Sequence, residues 1–256
     1  MKPFEQFNDY PSSPPPVQPI AVNQQLVTPV VGYIILAATV VIYVLQMGSQ
    51  FLLGYDLPAI LGMKINEYIL AGQLWRFVTP MFLHGSILHI GFNMYALVII
   101  GLPLERRFGH VRFLLLYLSG AFAGNVFSFL LTDNPSLGAS TAIFGLLGAE
   151  AVFLYRHRDL FGRQARAALV NIAQVAGINF LIGLSPGIDN WGHLGGLLGG
   201  LLFTWFGGPL LKVEGLYPQF YLEDERGAGA SYTALALVLA IFGVLAALKF
   251  FGLWPG

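Results

Sequence analysis

The chain has no cysteine. That removes disulfides, thiol nucleophiles and cysteine metal ligands, and it leaves the compartment open. Charge is scarce as well: 10% of the 256 residues are Asp, Glu, Lys or Arg, where a soluble domain carries about a quarter. The few charges cancel, 13 basic against 13 acidic, so no bulk attraction draws nucleic acid, and none is expected as a partner. No period-two alternation runs through the apolar stretches, and no internal repeat is visible. A basic region directly before the first apolar block and a small-residue cleavage site after it are both missing, so the N-terminus does not read as a signal peptide.

What is abundant is apolar sequence, 56% of the chain, gathered in runs near the length of a bilayer crossing. Seven are apparent: Pro29–Met47, Ile87–Leu104, Val111–Leu131, Gly138–Tyr155, Ala167–Leu184, Asn190–Leu211 and Tyr232–Leu248. Each is expected to be a helix, because within lipid only helices or closed barrels satisfy the backbone. The fold class is therefore all-α, a polytopic membrane helix bundle. Residues 1–28, with the proline-rich run Pro11–Pro19, read as a disordered or extended tail. Residues 29–211 form the core, 212–231 a connector, and 232–256 an additional C-terminal span.

Orientation follows from the basic residues. With the N-terminus inside, the inner segments hold Lys2, Arg106, Arg107, Arg112, Arg156, Arg158, Arg163, Arg166, Lys212 and Arg226, against Lys64, Arg76 and Lys249 outside. That bias places the N-terminus in the cytoplasm and the C-terminus outside, in a multi-pass cell-membrane protein. The long connection at residues 48–86 is rich in Leu, Phe, Tyr, Ile and Trp and is expected to lie partly in the interface.

Polar groups in a hydrocarbon core need a reason. His89 and Asn93 in the second run, Ser140 in the fourth and His193 in the sixth fall in the outer two turns or so of their spans. They therefore share one level, roughly 10 Å or less below the outer boundary. A hydroxyl, two imidazoles and an amide at one depth suit nucleophilic hydrolysis. Serine becomes a nucleophile when a base within hydrogen-bond reach takes its proton, and histidine is the usual base. Ser140 near a helix N-terminus has free N–H groups to meet a developing oxyanion. His89 and Asn93, four apart, share a helix face and either donate to the same oxyanion or tie helix to loop. Gly192, Gly196 and Gly200, flanked by Gly195 and Gly199, make a stripe for close helix approach. Ala142, Gly145 and Ala149 offer the matching face, and Phe144 lies one turn below Ser140, placed to stack on the imidazole.

These residues resemble the rhomboid family of intramembrane serine proteases. The family's Gly-x-Ser-Gly is similar to Gly138-Ala139-Ser140-Thr141. Its general-base motif matches Gly192-His193 through Gly196 to Gly200, and its His-x-x-x-x-His-x-x-x-Asn matches His84, His89 and Asn93. Trp75-Arg76 and the run Glu105, Arg107, Gly109 match two further motifs, all in family order between residues 75 and 200. The resemblance implies a six-helix core open to the outer side, with one helix added at the C-terminus. It implies a Ser140–His193 dyad with no acidic third member, oxyanion stabilisation by His89, Asn93 and the Ser140 N–H, and support from Gly138, Phe144, Gly196 and Gly200. The implied partners are transmembrane protein substrates and the lipid bilayer, with no cofactor. One departure stands out: Thr141 replaces glycine after the nucleophile, where a β-branched residue can crowd the oxyanion site.

The other polar residues read more plainly. His84, five residues before His89, lies about 140° around a helix from it and is taken as a loop anchor. His84 and His89 lack the i, i+4 spacing of a helical zinc motif and have no accompanying carboxylate, so no metal is expected. Asp189 is a third acid or, in keeping with its place at the start of a span, a helix cap. Glu150, about 15 Å beyond Ser140, is expected to pair with a basic neighbour at the inner side. Trp75 and Arg76 are expected to structure the loop, and Asn171, Gln174 and Asn179 to make helix–helix hydrogen bonds. The competing reading is a non-catalytic rhomboid-like protein that binds membrane helices and has no need of Ser140. A transporter is disfavoured because the polar residues gather near one face.

Overall fold

The computed structural model describes residues 22–227 and 229–254. The proline-rich run Pro11–Pro19 lies outside them. The chain begins with a short strand β1 (Val22–Gln24) and a long helix α1 (Val30–Leu53). The connection after it folds into α2 (Leu57–Gly62), α3 (Asn66–Leu70) and two 3-10 turns, Leu74–Phe77 and Thr79–Phe82. The second span is α4 (Ile87–Ala96), a π turn at Leu97–Gly101 and α5 (Leu102–Phe108). Then come α6 (His110–Leu131), α7 (Ser140–Arg156), α8 (Arg158–Ile182), α9 (Asn190–Gly207), the hairpin β2 (Leu211–Leu216) and β3 (Gln219–Asp224), and α10 (Gly229–Phe250).

Among the described residues five helical segments are long and apolar enough to cross a membrane: α1, the α4–α5 unit, α6, α8 and α10. The other two expected spans, α7 and α9, have 17 and 18 residues and carry the glycines and polar residues of the centre. Helix α7 is packed between α6, α8 and α9 with most of its residues buried, so it has less need of apolar surface, while α9 packs on α6, α7 and α10 and still exposes Leu198, Trp205 and Phe206. The molecule is a polytopic helical bundle whose densest packing joins α6, α7 and α9.

Glycine sets that packing. A Cβ on Gly196 would strike the Thr141 carbonyl oxygen, and one on Gly200 the Gly145 carbonyl oxygen. Bare backbone there lets α9 lie directly on α7. A second row, Gly195 and Gly199, faces α6, where added Cβ atoms would meet Phe127 and the Ala123 side chain. Thus α9 is a small-residue ridge between two helices. The seventh helix, α10, packs against α6 and α9, and near its end Lys249 Nζ donates to the carbonyls of Phe129 (2.6 Å) and Leu130 (3.4 Å). Those carbonyls belong to the last turn of α6, where intrahelical donors run out and a cation suits the dipole.

The opposite end has its own cap. Helix α1 begins after Pro29, which offers no side-chain acceptor. The fully buried Glu105 of α5 takes that role, accepting from the N–H groups of Val31 (2.9 Å) and Gly32 (2.6 Å) and meeting His110 Nδ1 at 2.6 Å. Glu150 pairs with Arg107 at 3.0 Å, the basic neighbour expected of it.

Three local features depart from the expectations. The second span is not one regular helix, since the π turn precedes Pro103, whose missing N–H and ring disfavour a regular i→i−4 ladder there. The connector at 212–231 holds strands that the helical reading did not include, and the described end of the tail is extended, one of the two forms expected of it: β1 runs parallel to β3, giving the sheet order β1-β3-β2. Leu211-Lys212-Val213-Glu214 alternates with period two, and the free edge of β3 accepts β1. The sheet is tied to the bundle by Arg112 to Asp224 (2.7 Å) and by Leu211 N–H to His157 Nε2 (2.8 Å). Finally, α8 starts before the expected Ala167, with its early turn broken at Gly162 (φ 53°), and of its 25 residues only Ala165 is buried. It leans on α7, and near its end the Phe180 carbonyl accepts from Asn190 of α9 at 3.1 Å.

Candidate active site

Ser140 is the first residue of α7, so its own N–H and the next ones lack intrahelical partners. The turn before it is fixed from outside the helix. Gly138 adopts φ 137° and donates its N–H to Pro80 O at 2.9 Å. A side chain there would also run into the His89 ring, 2.7 Å from the Cβ position to Nε2. Ala139 N–H points at His84 Nε2, 3.4 Å away. His84 is itself clamped by the amide of Gln46 from α1, which donates to the His84 carbonyl (3.3 Å) and accepts from its N–H (3.0 Å).

The imidazole of His193, in the first turn of α9, brings Nε2 to 2.9 Å from Ser140 Oγ. Its ring lies parallel to Phe144, with centroids 4.3 Å apart and planes 8° from parallel. The stack fixes the ring's plane and the hydrogen bond its rotation. His193 is 8% exposed, so little water competes for Nε2. With Nε2 accepting the serine proton, Nδ1 carries the hydrogen, an assignment made from the bonding.

His89 and Asn93 sit on the facing side, on α4. The His89 ring approaches the same point beside Gly138 as Ser140 Oγ does. Asn93 is buried, and its amide Nδ2 donates to the His89 carbonyl at 2.9 Å. In this state that donor is held by its own helix. Gly196 and Gly200 act at the α7–α9 contact and do not touch the reacting atoms. The Thr141 side chain packs toward Gly124 of α6 and Gly192 of α9, within 2.6 and 3.2 Å of their Cβ positions.

His84 corrects the helical-wheel argument. Helix α4 starts at Ile87, capped by Ser86, so His84 lies in a loop and the 140° rotation does not apply. It anchors the loop, as expected, and also reaches the residue before Ser140. Burial, with the neighbouring His89 ring, lowers His84 to about 4. It is therefore neutral at physiological pH and free to accept from Ala139. Asp189 caps α9, accepting from Gly192 N–H at 2.8 Å. Arg76 is buried and spends its guanidinium on the carbonyls of Ile60 and Met63, while Trp75 donates to Leu61 O. Asn179 donates to Val175 O on its own helix, not across helices.

Several organising residues went unremarked in the sequence. Lys64 is fully buried and donates to the carbonyls of Thr132 (2.8 Å) and Asn134 (3.0 Å), tying the first loop to the loop that leads to Ser140. Asn66 joins the same contact through Phe129 O, Thr132 O and Asp133. Asn125 donates to Phe77 O at 3.1 Å. A signal existed for Gln46 and Asn125, as polar residues inside apolar runs. For Lys64 the only hint was a lone cation in an apolar loop. Among the described residues, no group of three or more His, Asp or Glu side chains is placed to hold a metal ion.

Comparison with known proteins gives the arrangement its setting. RHOMBOID-like protein 9, chloroplastic, of Arabidopsis thaliana is 35% identical over 159 residues, 62% of this chain and 37% of that protein. Rhomboid protease GluP of Bacillus subtilis is 43% identical over 140 residues, 54% of this chain and 27% of its own. RHOMBOID-like protein 6, mitochondrial, also of Arabidopsis, is 33% identical over 192 residues, 75% of this chain and 62% of that one. In each case the match spans less than two thirds of the relative's length. The family model described as Rhomboid domain matches residues 71–210, more than half of the sequence and the stretch that carries Ser140 and His193; the chain belongs to the rhomboid family.

Proposed function

We propose that the protein is an intramembrane serine endopeptidase that cleaves transmembrane segments of membrane proteins, with Ser140 as nucleophile and His193 as general base. The single observation that supports this most is the 2.9 Å contact between His193 Nε2 and Ser140 Oγ, made by a ring stacked on Phe144. Hydrogen-bond reach and fixed orientation are what a general base needs. As Oγ attacks the scissile carbonyl, its proton passes to Nε2. The tetrahedral oxyanion is met by the Ser140 N–H at the start of α7, where the helix dipole favours negative charge. The proton then moves from Nε2 to the departing amine, and water hydrolyses the acyl-serine by the same steps.

His89 and Asn93 complete the oxyanion site in this reading. Asn93 exchanges its bond to the His89 carbonyl for one to the oxyanion, a swap costing about 1 kcal/mol. The protein sits in the cell membrane with its N-terminus in the cytoplasm, so the site opens near the outer side. The names of the relatives agree in part: one is a protease by name, others are rhomboid-like.

A fluorophosphonate probe on the purified protein tests the assignment. Ser140 should label in the wild-type protein, and Ser140→Ala and His193→Ala should each abolish labelling and cleavage with the fold intact. The two losses should be similar and should not add, because the pair acts as a unit. A folded protein that binds membrane helices but leaves Ser140 unlabelled would support the non-catalytic reading instead.

A further inference from the structure

Helix α7 does not hold Ser140 unaided. The nucleophile follows the linker 132–139, which leaves the last turn of α6. Because Ser140 opens its helix, the direction of its N–H depends on that linker rather than on an intrahelical bond. The linker is anchored at nearly every step. Lys64 Nζ donates to the carbonyls of Thr132 and Asn134, and the Lys64 backbone exchanges hydrogen bonds with Ser136 at 2.9 and 3.1 Å. Asn66 donates to the Thr132 carbonyl and to Asp133 Oδ1. Pro80 and His84 hold the tip at Gly138 and Ala139.

One anchor comes from elsewhere. Lys249 lies near the end of α10, well past residue 210, where the Rhomboid domain match stops. Its Nζ donates to Phe129 O at 2.6 Å and Leu130 O at 3.4 Å, and stands 3.6 Å from Asp133 Oδ1. Asp133 is 88% exposed, so the ion pair itself contributes little. The charge-assisted bonds to the two carbonyls carry the contact. Phe129 O also accepts from Asn66 at 3.3 Å, so α10 and the first loop meet on one carbonyl at the root of the linker. Packing sets the approach: Ala234, Val238, Phe242 and Ala246 are buried along α10, and Phe242 meets Phe127 of α6 with ring centres 5.6 Å apart. Lys249, three residues past Ala246, continues that face.

We propose that Lys249 is a positioning residue for the reaction: it joins the seventh helix to the α6–α7 linker and so fixes the direction of the Ser140 N–H and hydroxyl. This rests on the serine-hydrolysis reading above. With Lys249 in place the linker is held at its root by three side chains and at its tip by Pro80 and His84. Without it the root keeps only the anchors from the first loop, and play there moves the Ser140 donor off the oxyanion. The added helix is a working part of the site, not a passenger on the core.

Lys249→Met in the full chain keeps the apolar stem on α6 while removing the donor and the charge. Its rate of fluorophosphonate labelling at Ser140, per folded molecule and well below the melting temperature, should fall about three- to tenfold, short of the hundredfold that a 1 Å misplacement can cost. Turnover should fall in parallel with KM little changed, since the donor acts as charge develops. Amide hydrogen exchange should speed up over residues 132–139 but not within α10. Lys249→Arg, which keeps a charged donor, should recover most of the rate. Ser231→Ala is the comparison: it loosens α10 at its other end, where Ser231 Oγ accepts from Arg112 at 3.0 Å, and should lower the melting temperature without slowing labelling. Wild-type labelling by folded Lys249→Met, or an equal slowing in Ser231→Ala, would overturn the proposal and leave Lys249 a helix cap. If the methionine variant is not recovered folded, Lys249→Gln, a neutral donor, is read in the same way. If the wild-type protein itself neither labels at Ser140 nor cleaves, the serine-hydrolysis reading fails, and the proposal with it.

Discussion

Two residues carry distinct expectations at the scale of single side chains. Asn93 has its amide on the His89 carbonyl and must turn to serve an oxyanion. Loss of one preorganised donor costs about 2.7–4 kcal/mol in a soluble protease, and the work of turning subtracts from that. Asn93→Ala should therefore lower turnover by about tenfold to a hundredfold, with KM little changed, because the bond strengthens only as charge develops. Unchanged turnover with a lower melting temperature would make Asn93 a helix tie. Lys64 gives a pH dependence. Burial lowers it from 10.5 to about 8 against the pull of Asp189 and Asp133. Between those values the unfolded chain holds more protons than the folded one, so the stability due to this residue is lowest below about pH 8 and rises from there toward 10.5. The full change is on the order of 3 kcal/mol. Melting curves of the wild type and Lys64→Gln from pH 7 to 10 should show their difference growing in the wild type's favour as pH increases; a constant difference would mean an ordinary lysine. Ser140, His193 and Phe144 were legible from the sequence because depth in a span is countable at 1.5 Å per residue. Lys64 was not, nor was the reach of His84 to Ala139, since both act from loops whose path no periodicity encodes.

Between elements, the decisive contact is α9 on α7. Gly196 and Gly200 place backbone on backbone, so any Cβ there must push the two helices apart and with them Ser140 from His193. Gly196→Ala should cost at least the 1–3 kcal/mol typical of overpacking and reduce labelling of Ser140 about tenfold or more. Gly243→Ala in α10, where a Cβ meets open space, should change neither labelling rate nor melting temperature beyond a few tenths of a kcal/mol. Equal behaviour of the two variants would mean that the stripe is not what sets the distance. One glycine row could be read from its interval of four. The second, toward α6, was hidden because Gly195 and Gly199 looked like mere flanks. The hairpin β2–β3 was missed for a different reason: its alternation occupies only six residues and lies between long helical runs that dominate any window. Nor is β1 legible, as strand pairing between residues 22–24 and 220–222 depends on a sheet edge far along the chain.

For the whole molecule, the proposed orientation rests on a count of basic residues, and their partners bear on it. The three assigned to the outer side in the proposed orientation are all committed within the protein: Lys64 to Thr132 and Asn134, Arg76 to Ile60 and Met63, Lys249 to Phe129 and Leu130. On the side assigned to the cytoplasm Arg107 and Arg112 are paired with Glu150 and Asp224, yet Arg163 and Arg166 have no ion-pair or hydrogen-bond partner among the described residues and line a shallow groove of about 370 Å³ with Ala167, Val170 and Asn171. Free cations resist translocation, whereas cations buried on carbonyls are part of the fold, so the effective bias exceeds the ratio of counts. The N-terminus, the Arg163–Arg166 turn and the β2–β3 hairpin should accordingly share the cytoplasmic side. An alkaline phosphatase fused after Gly256 should be active and a fluorescent protein there dark, while a fluorescent protein inserted at the Tyr217–Pro218 turn should glow. Replacing Arg163 and Arg166 with glutamine should weaken that asymmetry more than replacing Arg107 and Arg112, although both pairs remove two charges. An inverted pattern in the wild type would put Ser140 near the cytoplasmic face, and the substrates it meets would then be those whose helices end on that side.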